Sequence, residues 1–362
     1  MILVKKLDQY LLRYFMLSLL VVMLALGFTI IIINMVEELR DFIDNNVPFL
    51  TIVEYYTYFA GWVLSKFFPL FILLASLFSI SLLARKNEIL AMKACGRSLY
   101  RVTWPIFAMA VVLSAGHFYY NEYIFPDANV RRLEIKNFEI ERKSRETYAR
   151  VSRITRQISP GNFYTLNSFN TNRQEGVDFK LYNTTRNELS RIVTAKMILY
   201  RDHRWLAVRG IERILGADRR ETFTEFDSLL IPEIKDKPSD LERRIGKPED
   251  MSLDEIRYYI DLMKRTGGPY LEELVNLHLK FSYPVTSAIV VLICVPFAAN
   301  PRRGGIAVSF ATGALIALIY FVLFRIMQSA GYNEKVPVWV AAWAVNGVFF
   351  LIGLVSLFSA RK

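Results

Sequence analysis

Leu11–Met35, LLRYFMLSLLVVMLALGFTIIIINM, decides the class of fold. A helix crossing a bilayer needs about 20 mainly apolar residues. This run exceeds that length and carries one charge, Arg13, near its start. It is too long for the apolar core of a secretory signal, and no small-residue cleavage site follows, so it reads as a retained span. Five further runs have the same character, roughly 56–84, 102–124, 277–299, 305–330 and 337–359. They sit three and three at the ends of the chain.

The chain has 362 residues, 53% of them hydrophobic, with mean hydropathy +0.26. Soluble chains average about 45–50% apolar. Here the excess is gathered into the terminal runs and the middle third is polar, which excludes a simple soluble domain, a disordered chain and a collagen-like repeat. The net charge is +11. In a membrane protein that points first to cytoplasmic loops and anionic lipid, and no nucleic-acid partner is expected. Cys95 and Cys294 are the two cysteines, and His117, His203 and His278 are scattered. They supply neither a disulfide framework nor a metal cluster.

Orientation follows from charge in the short loops. A cytoplasmic N-terminus puts Lys5, Lys6, Arg13, Arg85, Lys86, Lys93, Arg97, Arg101, Arg302, Arg303, Arg361 and Lys362 inside, against Arg40 and Lys335 outside. By the positive-inside rule both termini are cytoplasmic and residues 125–270 lie on the far side.

That middle segment reads as β. Val177–Leu181 and Thr222–Phe226 alternate apolar and polar residues, and Phe163–Leu166, Ile192–Tyr200 and Trp205–Val208 are further candidate strands. Ser159-Pro160-Gly161-Asn162, Asn183-Thr184-Thr185 and Arg201-Asp202-His203-Arg204 are the turn signals between them. The pattern predicts an antiparallel sandwich or open roll. A Pro- and charge-rich linker, Pro232–Asp250, leads to a helix with a Ser252/Glu255 capping box and a stop at Gly267-Gly268. Domain boundaries are expected at 1–124, 125–270 and 271–362. Between Arg131 and Arg156, nine basic residues face four glutamates. This stretch reads either as a solvated helix face with internal ion pairs or as a contact for lipid phosphates.

No nucleotide-binding loop, nucleophile elbow, zinc-protease helix or dinucleotide fingerprint occurs in the sequence. The single Gly-Lys pair, Gly246-Lys247, has no glycine pattern upstream. No enzyme activity or cofactor is expected, and active work would draw on an ion gradient or a partner ATPase. The segment Ala84–Arg97, ARKNEILAMKACGR, reads as a short amphipathic helix with Ile89, Met92 and Cys95 on one face and Gly96 as its cap. It serves either as an interfacial helix on the inner leaflet or as a coupling helix docking on a soluble ATPase.

The sequence resembles a known family at several points. The Glu88-Ile89-x-Ala91-Met92-x-Ala94-x-Gly96 loop follows a span carrying Phe67-Phe68-Pro69. Leu7-Asp8-Gln9-Tyr10-Leu11-Leu12 opens the chain, and Asn300-Pro301-Arg302-Arg303-Gly304 separates spans four and five. Together these are similar to the lipopolysaccharide export permeases LptF and LptG. The opening leans to LptG, while Ala94-Cys95-Gly96 and Asn300-Pro301-Arg302 lean to LptF.

The resemblance implies an α+β membrane protein with six transmembrane helices (3+3) and an inserted periplasmic, β-jellyroll-like antiparallel domain. It implies residence in the bacterial inner membrane and pairing with a second LptF/LptG-type permease subunit. An LptB-type cytoplasmic ATPase dimer would bind the ATP, and an LptC/LptA-type periplasmic bridge would receive the lipopolysaccharide. ATPase coupling then falls to Arg85, Asn87, Glu88, Ile89, Met92, Lys93 and Gly96. In this family basic residues near the outer end of span one hold the phosphorylated head; Arg40 matches, whereas Asn34 and Asp41 depart from the pattern.

Ionisable groups inside spans are costly and mark function by default. Lys66, Lys280, His278 and Arg325 stand in or at the ends of spans, with Gln328 on the face of Arg325. Snorkelling to the interface is the plainer reading of the long side chains. The expectation is that Arg40, Lys66 and Arg325, with Gln328, face a cavity and bind lipid phosphate, and that Phe67, Phe68, Phe321 and Phe324 meet acyl chains. Small residues in span five (Gly304, Gly305, Ala311, Gly313, Ala314) fit close helix packing within the chain or between subunits. Two other classes are an ion-coupled secondary lipid transporter, which would show repeats and midplane carboxylates, and a membrane-anchored periplasmic scaffold or sensor, for which six spans are more than needed.

Overall fold

In the computed structural model, described for residues 6–145, 150–185, 188–215, 221–241, 248–298 and 305–359, six helices are long and apolar enough to cross a membrane. They are α1 (Lys6–Asp44), α2 (Phe49–Arg85), α4 (Leu99–Tyr123), α7 (Leu271–Ala298), α8 (Gly305–Tyr332) and α9 (Val338–Ser359). The short α3 (Glu88–Ala94) lies between α2 and α4, and α5 (Phe125–Glu134) follows α4 and runs into a π-helical turn, Ile135–Ile140. Lys5, Gly246-Lys247, the Asn300–Gly304 turn, Arg361 and Lys362 lie outside the described residues.

The chain divides into two units, Met1–Ile135 with Pro248–Ile256 and Leu271–Lys362, and Lys136–Lys247 with Arg257–Tyr270. The first is the helical unit. The 39 residues of α1 extend about 58 Å, nearly twice the hydrocarbon thickness of a bilayer. Within α2, Pro69 has no N–H and so leaves the carbonyl of Ser65, one turn earlier, without its helical donor. His117 of α4 brings its Nε2 to 3.0 Å from Ser65 O and 3.0 Å from Asn121 Nδ2, and fills the vacancy in the tautomer that carries the proton on Nε2. Phe68 stacks on the His117 ring with centroids 4.4 Å apart.

Gly313 on α8 meets Leu77 of α2, where a Cβ would come within 2.5 Å of Leu77 Cδ2. This small residue therefore serves close packing inside the chain. Helices α7, α8 and α9 are pinned by a buried polar cluster. Asn346 Nδ2 donates to Ser282 O at 2.8 Å, Tyr320 donates to Asn346, and Thr286 Oγ1 lies 2.8 Å from Tyr320 OH.

The second unit is built on one six-stranded antiparallel sheet in sequential order: β1 (Arg150–Ser159), β2 (Asn162–Asn170), β3 (Glu175–Thr185), β4 (Glu188–Arg201), β5 (Arg204–Leu215) and β6 (Glu221–Leu230). The β4–β5 hairpin turns at Asp202 and His203, both left-handed (φ 49° and 61°), as a two-residue connection matching strand twist requires.

The inward face changes phase once in each central strand. The buried positions run Tyr164, Leu166, then Phe169 in β2, and Gly176, then Phe179, Leu181 in β3. In β4 they run Val193, Ala195, then Ile198. A strict period of two would keep one parity throughout. Left-handed Asp178 and Arg209 (φ 55° and 54°) stand beside these steps, and the aligned irregularities crease the sheet. At the crease Gly210 has no room for a Cβ, which would lie 2.2 Å from Thr194 O.

Two readings from sequence need correction here. The basic stretch 131–156 is not a continuous helix, because its end forms β1. The apolar positions there, Val151, Ile154 and Ile158, fall at i, i+3 and i+7, a helical spacing that hid the strand. Several of its cations have partners within the chain. Arg131 pairs with Glu54 at 3.0 Å, Arg132 donates to Asn129 at 2.9 Å, and Lys143 pairs with Glu141. Nor is Pro232–Asp250 a plain linker, since Ile231, Ile234 and Leu241 complete the core of the sheet. Trp205 Nε1 donates to Asp236 O at 2.8 Å and Tyr164 OH to Asp236 Oδ2 at 2.6 Å, which fixes that segment.

The helix after it, α6 (Leu253–Arg265), has the expected ends. Ser252 N–H donates to Glu255 Oε2 and Glu255 N–H to Ser252 Oγ, a reciprocal capping box. Left-handed Gly267 and the bond from Gly268 N–H to Met263 O close a Schellman motif.

Candidate functional site

Two places in the helical unit gather the residues singled out by sequence. The first is the α2–α4 connection. Left-handed Asn87 (φ 57°) turns the chain sharply after α2 and starts α3. At the other end Gly96 is left-handed (φ 76°), and Arg97 N–H reaches Met92 O at 3.1 Å, the bond that terminates a helix tightly. A two-turn helix held at both ends is a rigid projection. Its faces differ from the sequence reading. Ile89 is buried and Met92, Lys93 and Glu88 are half-buried, while Leu90 is 65% exposed beside exposed Ala91, Ala94 and Cys95. The outward apolar residue is therefore Leu90, and Ile89 packs inward. Arg85, Asn87 and Gly96 are exposed.

Glu88 is engaged within the chain. It accepts from Tyr10 OH of α1 at 2.7 Å. Lys86 Nζ donates to Tyr14 OH at 3.2 Å, and Arg101 of α4 pairs with Asp8 of α1 at 2.7 Å. The start of α1 is thus fastened to the α3 connection by polar contacts.

The second place is a cleft of about 80 Å³ among α2, α4, α7, α8 and the 3-10 turn Pro248–Asp250. Lys66, Lys280 and Arg325 line it together with Glu122 and Glu249. Lys66 Nζ lies 2.6 Å from Asp250 Oδ1 and 4.0 Å from Glu249 Oε1. Arg325 Nη1 lies 3.6 Å from Glu249 Oε2 and donates to Gln328 Oε1 at 2.7 Å. Lys280 pairs with Glu122 at 3.1 Å, and the other oxygen of that carboxylate takes Leu253 N–H at 2.6 Å. Three cations thus meet three carboxylates. Partly buried ions need such partners, because an unpaired one costs several kcal/mol. Gln328 is buried and donates to Tyr332 OH at 2.7 Å, so it orients the site from behind.

The cleft joins Lys66, Arg325 and Gln328 but not Arg40, which is fully on the surface and pairs with Asp44 one turn on, at 3.3 Å. Phe68 is packed against His117 and offers no ring to a lipid. Phe67 is half-buried, edge-on to Trp62. Phe321 lies with Arg325 along a shallow apolar groove on α8, while Phe324 is buried against Tyr320. The sequence reading missed the acidic half of the cleft. Glu249 and Asp250 stand at the end of a charged linker and carry no local signal. Only the requirement that intramembrane cations be neutralised pointed to some partner. Among the described residues no cluster of His, Cys, Asp and Glu fits a metal ion.

A family model described as "Lipopolysaccharide export system permease LptF/LptG" matches residues 9–359, from α1 to α9. Comparison with curated proteins returns no match.

Proposed function

Because the chain belongs to the LptF/LptG family of lipopolysaccharide export permeases, we propose that it is the membrane-spanning subunit of an ABC-type exporter driven by a separate ATPase. The observation that carries this reading is the match over residues 9–359, which takes in the helices of both ends and the sheet between them. In this reading the chain lies in the inner membrane with the sheet on the periplasmic side. It takes lipopolysaccharide from the outer leaflet and passes it to a periplasmic bridge of LptC/LptA type. Outward apolar side chains of α1 (Leu20, Leu24, Phe28) and of α8 (Leu315, Leu318, Val322) meet acyl chains or a second permease subunit.

Helix α3 is the handle. An LptB-type ATPase dimer docks on Leu90 and the exposed Ala91, Ala94 and Cys95. Its motion passes to α1 through the Tyr10–Glu88 and Tyr14–Lys86 contacts. Leu90 is the contact to test, since its removal leaves the chain's own packing intact. Purified from its host membrane, the protein should bring an ATPase with it. Leu90→Asp should lose that subunit at least about tenfold, the effect of removing one buried apolar anchor. Glu88→Arg should lose it too. Retention of the ATPase by Leu90→Asp, or ATP turnover by the purified chain alone, would refute the assignment.

A further inference from the structure

We infer that the Glu249–Asp250 turn is an internal occupant of a phosphate seat made by Lys66 and Arg325, and that a phosphorylated lipid head group displaces it. The inference rests on the permease reading above and adds a competitor to it. The geometry is that of one anion held by two cations. The two oxygens of Glu249 face different partners, Oε1 toward Lys66 at 4.0 Å and Oε2 toward Arg325 at 3.6 Å, while Asp250 completes the lysine at 2.6 Å.

The neighbouring pair shows what a permanent contact looks like. Lys280 and Glu122 are about one-tenth exposed, and both oxygens of Glu122 are used, one on the lysine and one on the Leu253 N–H. Arg325, by contrast, is 63% exposed. Its hydrogen bond goes to Gln328, and its approach to Glu249 is too long for one. A guanidinium has five donors in a planar fork suited to phosphate.

Charge balance makes exchange feasible. A phosphomonoester carries about −1.5 to −2 with three acceptor oxygens, close to the charge of the two carboxylates it would replace. Lys66 would never be left unpaired in its 18% exposed position. Both carboxylates sit on a single 3-10 turn opened by Pro248, so one local movement removes both. The cleft's volume, about 80 Å³, holds several waters and no acyl chain. It therefore suits a head-group phosphate while the lipid's tails lie elsewhere.

The full-length chain in lipid nanodiscs tests this with a diphosphorylated lipid A, its dephosphorylated form and inorganic phosphate as probes. Glu249→Gln with Asp250→Asn should raise binding of the phosphorylated lipid about fivefold or more, as loss of a competing ion pair would. Lys66→Gln with Arg325→Gln should reduce it. Unchanged or weaker binding in the acidic variant overturns the competitor. Lipid binding indifferent to the cation variant as well overturns the phosphate-binding reading beneath it.

A measurement on the unaltered protein guards against a misfolded variant. Phosphorylated lipid should increase carbodiimide modification of Asp250, and the dephosphorylated lipid should not. Equal exposure of Asp250 by both lipids, or by inorganic phosphate at the same concentration, would overturn displacement by a head group.

Discussion

Asp236 shows how one side chain ties stability to pH. It lies in the segment after β6, accepts from Tyr164 OH at 2.6 Å, and is pushed above the usual carboxylate range by burial, which outweighs the opposing effect of the Tyr164 bond. A carboxyl whose folded pKa is raised binds its proton more readily folded than unfolded. Its contribution is full below the ordinary value, about 3.9, and is lost as pH rises through the raised one. Thermal unfolding of the β unit, followed by Trp205 fluorescence in a variant keeping that tryptophan alone, should show a midpoint that falls over this window. Asp236→Asn should flatten the dependence, and an identical pH slope in both proteins would remove Asp236 as its source. At this scale the sequence was half legible. Lys66, Arg325 and Gln328 stand out because charge and amide interrupt apolar runs. Their partners do not, because Asp250 is 184 positions from Lys66 and no periodicity links them.

Among the elements, helices were more legible than strands, for a physical reason. An apolar run of transmembrane length needs no phase, so all six spans were found, and the reciprocal cap at Ser252 and the stop at Gly267 are local motifs. Five of the six strands were located, each cut short, and β1 read as part of a helix. Phe163–Leu166 and Trp205–Val208 end where the alternation breaks, and the structure continues both across the crease to Asn170 and Leu215. What sequence could not supply was the meaning of Pro69. A proline in a span frees a carbonyl, and here a second helix brings His117 Nε2 to 3.0 Å from Ser65 O, where the Nε2-protonated tautomer donates to it. His117→Ala should cost about 1–3 kcal/mol, the penalty for a buried carbonyl without a partner. Pro69→Ala, which restores a helical N–H to the same oxygen, should shrink that cost by half or more. Denaturation midpoints of the two single variants and the double variant in detergent measure the coupling. Strict additivity would mean that the histidine and the proline do not share the carbonyl.

For the whole molecule the decisive quantity is sidedness, on which the distribution of charge makes a prediction. The α2–α4 connection carries Arg85, Lys86, Lys93 and Arg97 in about a dozen residues, whereas the two short loops assigned to the opposite side hold Arg40 and Lys335. Under the positive-inside rule this asymmetry predicts α3 inside and the sheet outside, the orientation that the proposed docking to a cytoplasmic ATPase would require. Cys95 reports on this directly, since it is a free, exposed thiol on the same projection. In a Cys294→Ser background a membrane-impermeant maleimide should leave Cys95 untouched in spheroplasts and modify it in inverted vesicles. Asn172, exposed in the turn between β2 and β3, should behave in the opposite way when changed to cysteine in a protein lacking Cys95. Modification of Cys95 from outside would turn the molecule over. It would also deprive α3 of any cytoplasmic partner and leave the exposed Leu90 face to be explained by lipid or by a periplasmic protein.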